Sequence, residues 1–145
     1  MRFVRTSLAT TIVVASLAIP AVATAAPSVS VAPTAQLSPE GASAALFVTV
    51  TCDAGAQSSV SVLLAQSSGK HLVQATGSSG VPPGGTLLVC DGMPQLVTIR
   101  AALPSAATRP FKAGKAEVTA TVFQFVPFMP TLTASTGPQE VRLLK

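Results

Sequence analysis

The reactive inventory of this 145-residue chain is short. It holds one histidine, His71, two cysteines, Cys52 and Cys90, and five acids, Glu40, Asp53, Asp91, Glu117 and Glu140. A nucleophile–His–acid triad has only His71 to build on. No acid shares a recognisable motif with it, so His71 reads as a solvated residue of an edge strand rather than a general base. The strained Gly-x-Ser-x-Gly turn that presents a nucleophilic serine does not occur. Ser67-Ser68-Gly69-Lys70 matches Ser-x-x-Lys. That motif works at the start of a helix with two companion motifs; here both companions are missing and strand-like sequence flanks it, so it reads as a turn. A hydrolase using Ser67 or His71 is the remotest of the readings.

Asp53 and Asp91 each follow a cysteine. A disulfide would draw the two carboxylates together, and paired carboxylates can hold a cation or exchange protons. Few other oxygen-bearing side chains lie near them in sequence. Two turn-starting aspartates, each capping its own backbone, are the simpler expectation. No metal or cofactor is expected, and no catalytic residue. Cys52 and Cys90 are expected to pair, because an exported chain meets an oxidising compartment and no Cys-x-x-Cys redox spacing is present. Their separation of 38 residues suits a link between distant strands.

Export is expected from the first 25 residues. Arg2 and Arg5 form a basic start, Leu8 to Ile19 is an uncharged apolar run, and Pro20 breaks it. Ala23-Thr24-Ala25 supplies the small residues a signal peptidase reads. The run falls short of the roughly 20 residues of a spanning helix. Residues 1–25 therefore read as a secretory signal peptide and 26–145 as the mature domain, secreted and without a stable membrane anchor. No Leu-Pro-x-Thr-Gly sorting signal is present. Of the nine basic residues, seven remain after residue 25, against five acids. A net charge of +2 with no cluster along the sequence argues against a nucleic-acid surface. The absence of Asn removes any N-glycosylation acceptor. The absence of Trp and Tyr removes the usual sugar-stacking platforms.

The elements that must position these residues are short strands. Ala44, Leu46, Val48, Val50 and Cys52 share one face at period two, and Val118, Ala120 and Val122 do the same later. Strands are expected at Ser28–Val31, Ala44–Cys52, Val60–Leu64, His71–Ala75, Thr86–Cys90, Val97–Ala101, Ala116–Phe125 and Glu140–Leu144. Turn signals separate them about every ten residues, and no helix or fixed repeat emerges. Seven or eight such strands in about 120 residues make an all-β antiparallel sandwich.

Val50-Thr51-Cys52, Val89-Cys90-Asp91-Gly92, the run from Phe111 to Thr121 and Glu140-Val141-Arg142-Leu143 together resemble a family of small exported actinobacterial proteins. That resemblance implies an immunoglobulin-like β-sandwich and an extracellular location, and it brings no catalytic residue with it. The opening Ala26-Pro27-Ser28-Val29-Ser30-Val31-Ala32-Pro33 is similar to the start of the neocarzinostatin-type apoproteins, which implies a small-molecule carrier.

One strand breaks the usual pattern. Continuing the alternation of Ala116–Phe125 puts Phe123 and Phe125 on the polar side, and Pro127, Phe128, Met129 and Pro130 follow. Clustered exposed apolar side chains mark a partner or ligand site. A β-bulge that reverses the phase would instead bury both phenylalanines. The leading expectation is a secreted, non-enzymatic binding or structural module with a patch at Phe123, Phe125, Phe128 and Met129, facing an unidentified protein or apolar ligand. The alternative is a carrier with an apolar cleft between sheets.

Overall fold

The structure is a computed structural model; it describes residues 26–80, 87–105, 107, 109–126 and 129–145. The described chain is all-β. Nine strands follow in order: β1 Ser28–Leu37, β2 Ser43–Thr51, β3 Gln57–Ser68, β4 His71–Ser79, β5 Leu88–Val89, β6 Gln95–Ala102, β7 Gly114–Val126, β8 Met129–Ser135 and β9 Gln139–Leu144. The sheet runs β3-β4-β6-β2-β1-β9-β7 and returns from β7 to β3, closing a barrel of seven strands. β5 extends β3 at its first residues, and β8 extends the far edge of β7 beyond β9.

Period-two patterning builds this barrel. In β2, Ala44, Leu46, Val48 and Val50 turn inward, and in β3, Val60, Val62 and Leu64 do so. They meet Ile99, Ala101, Val118, Ala120, Val122, Val141 and Leu143 from the opposing strands in one continuous core. Each large side chain removed from water there contributes about 1.5–3 kcal/mol.

Two seams close the barrel. β4 meets β6 at the single pair Thr76–Ala102, and β1 meets β9 in parallel through Thr34, Ala35 and Gln36. At the first seam the backbones come so close that a Cβ on Gly77 would run into the Arg100 carbonyl, so the side chain must be hydrogen. At the second, β1 shifts register between Val31 and Ala35, across Pro33. Proline has no N–H to give the ladder, and the irregularity falls where none is needed.

The observed elements correct the expected ones: β4, which carries His71, lies between β3 and β6 rather than at an edge, and Ser67 and Ser68 end β3 rather than standing in a turn. Met129–Ser135 forms β8, where the prolines around Phe128 point to a loop. Pro130 is tolerated because β8 pairs on one side only, with β7. The strand expected at Thr86–Cys90 reduces to Leu88–Val89, with Thr86 outside the described residues. β1 and β4 both run beyond their expected ends.

Cys52 and Cys90 form a disulfide with a Cα–Cα distance of 5.6 Å. It ties the end of β2 to the segment after β5. The turn at residues 53–56 reinforces the link: Gly55 N–H donates to the Cys90 carbonyl at 2.8 Å, and Cys90 N–H to the Ala56 carbonyl at 2.9 Å.

Candidate functional site

The register of β7 decides where its phenylalanines go. β7 pairs with β3 without interruption from Glu117–Ala65 to Phe125–Gln57. Val118, Ala120 and Val122 therefore continue inward as Gln124, which is buried, and Phe123 and Phe125 turn outward. A register shift does occur between Val122 and Phe123, but only in the pairing of β7 with β8. It leaves the β3 ladder, and so the phase of β7, untouched.

Gln124 is polar yet faces inward because it has partners there. Its side-chain amide donates to Asp53 Oδ2 at 3.2 Å, and its carbonyl oxygen accepts from the Asp53 amide N–H at 3.0 Å, in the orientation that satisfies both groups. Asp53 thus fastens the turn after Cys52 to β7.

Outward, Val89, Gln57 and Phe125 lie in one row, because Gln57 is the register partner of both. Phe125 is 39% exposed and Val89 63%. Phe123 sits half-buried beside Ser59, its partner in β3. Of the other patch residues, Phe128 lies outside the described residues, and Met129 opens β8 opposite Val126. Val89 joins the row through its pairing with Gln57, 32 residues earlier, which nothing local in the sequence signals.

Asp91 behaves as a turn residue. Its Oδ1 accepts from the Met93 N–H at 2.8 Å. That bond, followed by one from the Gln95 side chain, holds its carboxyl below the 3.8 of a free aspartate. A carboxylate with a lowered pKa adds stability above its unfolded value near 4 and loses it as pH falls through the folded value. The stability gap between wild type and Asp91→Asn, measured by denaturant unfolding, is therefore expected to stay constant above about pH 5 and to change as the carboxyl protonates. A flat difference through that range would show no preference for the charged form.

Ser67 and His71 are not brought together. In the β3–β4 hairpin Ser67 pairs with Leu72 and Ser68 with His71, so Ser67 and His71 alternate onto opposite faces. Ser67 lines a cleft of about 210 Å³ with Lys115, Glu117 and Glu140. His71 lines another of about 340 Å³ with Leu103, Pro104 and Arg109. Two further clefts, of about 520 and 430 Å³, flank Pro110. All four are open to solvent rather than enclosed. A carrier would use an apolar space between sheets; among the described residues that region holds the continuous core.

One polar residue has a role the sequence does not advertise. Gln66 is buried on the inward face of β3. Its Nε2 donates to the carbonyls of Lys112 at 2.8 Å and Lys115 at 3.1 Å, and its Oε1 accepts from the Lys112 N–H at 2.9 Å. One side chain thereby fixes the entry to β7. The signal is a glutamine standing where the alternation Val60, Val62, Leu64 calls for an apolar residue.

Comparison with protein families, with curated proteins and with solved structures found no match to this chain.

Proposed function

We propose that this protein is an exported, non-enzymatic binding module whose contact surface is the outward row Val89–Gln57–Phe125 with Phe123 beside it. The observation that carries this reading is the unbroken β3–β7 register, which leaves Phe125 and Val89 standing in solvent at one end of the barrel. Large apolar side chains grouped on a rigid sheet make good contact anchors, because little conformational freedom remains to be lost on binding. Removal of residues 1–25 and release from the cell belong to the same reading. The Cys52–Cys90 disulfide supports it, since such links persist in oxidising compartments.

The barrel is also read as a flattened immunoglobulin-like sandwich. Long ladders join β1-β2-β6 on one side and β4-β3-β7-β9 on the other. Among the described residues, one pair and one three-residue parallel ladder run between these groups. The disulfide spans the two groups at one end, from β2 to the strand segment attached to β3.

The test uses protein from the culture medium as bait. Phe125→Ser with Val89→Ser is expected to weaken retention of its bound partner about tenfold or more, the loss of a contact anchor. Folding stability is expected to change by less than about 0.5 kcal/mol, because both side chains are exposed. Recovery of the same partner at the same yield by wild type and variant would remove this row from the contact surface.

A further inference from the structure

The basic residues are scattered in sequence but not in space. All seven within residues 26–145 gather at the end of the barrel opposite the disulfide. Lys70 sits in the β3–β4 turn, Arg100 near the end of β6, and Arg109 and Lys112 in the connection from β6 to β7. Lys115 is the second residue of β7, Arg142 lies in β9, and Lys145 follows that strand. Every one of them is exposed. Three acids share this end, and one of these, Glu140, is paired with Lys115 at 3.0 Å. The disulfide end carries only Asp53 and Asp91. A weakly charged protein is thus polarised along its long strands.

The clefts at the basic end lie side by side as a belt and share lining residues. The 520 Å³ cleft, with Lys112 and Lys145 on it, shares Glu40 and Pro110 with the 430 Å³ cleft. That one shares Leu103, Pro104, Ala107 and Arg109 with the cleft holding His71. Leu72 then leads to the fourth cleft, beside Lys115. The linings carry Lys112, Lys145, Arg109 and Lys115 together with Glu40, Glu117 and Glu140, and Lys70, Arg100 and Arg142 stand outside them. Cations spread over a whole end in this way match the repeated charges of an extended polyanion better than a compact anion. Two backbone ties hold the belt's floor: Phe111 N–H donates to the Gly41 carbonyl and Leu103 N–H to the Ala42 carbonyl, each at 2.9 Å. Gly41 takes φ 71°, and a Cβ there would meet the Phe111 carbonyl, so this close approach requires glycine.

We propose that this belt binds a flexible, non-nucleotide phosphate polymer. Lys and Arg are the side chains suited to phosphate oxygens. Recognition of single-stranded nucleic acid relies on aromatic platforms for the bases. The belt offers one exposed ring, His71, too few for successive bases: Phe111 is 2% exposed, and the chain has no Trp or Tyr. The site is separate from the Phe125 row and stands or falls independently of it.

Calorimetric titration of the purified protein with long-chain inorganic polyphosphate tests this. With three or four phosphates contacted, the dissociation constant is expected to rise about 20- to 50-fold between 50 and 200 mM salt. Arg109→Gln with Lys112→Gln is expected to weaken binding about tenfold. Ser30→Glu with Thr98→Glu makes the same change in net charge at exposed positions away from the belt, and is expected to stay within about twofold of wild type. No binding of polyphosphate, or equal losses in the two variants, would overturn the site. Equal affinity for polyglutamate would overturn the phosphate assignment, and tighter binding of single-stranded DNA would make the ligand a nucleic acid instead.

Discussion

Replacing Cys52 and Cys90 together by serine is expected to lower folding stability by about 4 kcal/mol. The bond separates residues 38 apart in sequence, and its main effect in the chain-entropy description is to forbid expanded conformations of the unfolded chain. For a domain of this size the loss corresponds to a fall in Tm of roughly 15 °C. Calorimetric unfolding of wild type and double variant measures it. A second effect is local. Among the described residues β5 is two residues long and pairs with β3 at Gln57 and Ser58, so the disulfide, with the Cys90 backbone bonds to the 53–56 turn and the Gln95–Val89 bond, holds Val89 against the sheet. Ser58 Oγ lies 3.2 Å from Cys90 Sγ, and that contact goes with the sulfur. Hydrogen exchange at residues 88–90 is therefore expected to accelerate more than in the β2–β6 ladder. A loss below about 1 kcal/mol would show that closing this loop contributes little.

Gln66→Leu is expected to cost about 3 kcal/mol, although leucine matches glutamine in size and suits a buried position. The reason is what the amide leaves behind. Two carbonyls and one N–H of residues 112–115 lose their partner, and each unsatisfied group costs about 1–3 kcal/mol where water cannot replace it. Partial rehydration at the barrel end keeps the total near the lower bound of that sum. Denaturant unfolding gives the magnitude. Exchange of the Lys112 amide gives the mechanism, since that N–H donates to Gln66 Oε1. A Lys112 amide protected as in wild type would show that the connection is held by something else. The same substitution loosens the backbone that presents Lys112 and Lys115, so weaker polyphosphate binding is expected to accompany it.

The two expectations sit at opposite ends of the barrel and share a logic. At each end a segment outside the long ladders is fastened by one side-chain device, the Cys52–Cys90 bond at one and the Gln66 amide at the other. Both segments carry a proposed binding surface. The long ladders need no such device, because their backbone groups are paired along the strands and their inward faces are apolar.

The primary structure alone sufficed for whatever depends on neighbours two residues apart. The alternation from Ala44 to Val50 and from Ala116 to Val122 marks strands and their buried faces; whether that phase runs on to turn Phe123 and Phe125 outward is decided by the β3–β7 register. The pairing of two lone cysteines needs only their count and a compartment. Other features depend on which strands lie side by side. β8 hides behind Pro130 because proline is excluded from central strands and allowed at an edge, and only topology makes β8 an edge. Gln66 and Gln124 occupy inward positions, but their partners are a connection 46 residues away and a turn after Cys52. Val89 meets the Phe125 row through β3. Seven basic residues dispersed from Lys70 to Lys145 become one charged end because the β3–β4 turn, the β6–β7 connection and the end of β9 close the same side of the barrel. Side-chain phase is written locally along a strand, whereas the choice of neighbouring strand is made by packing across the whole core.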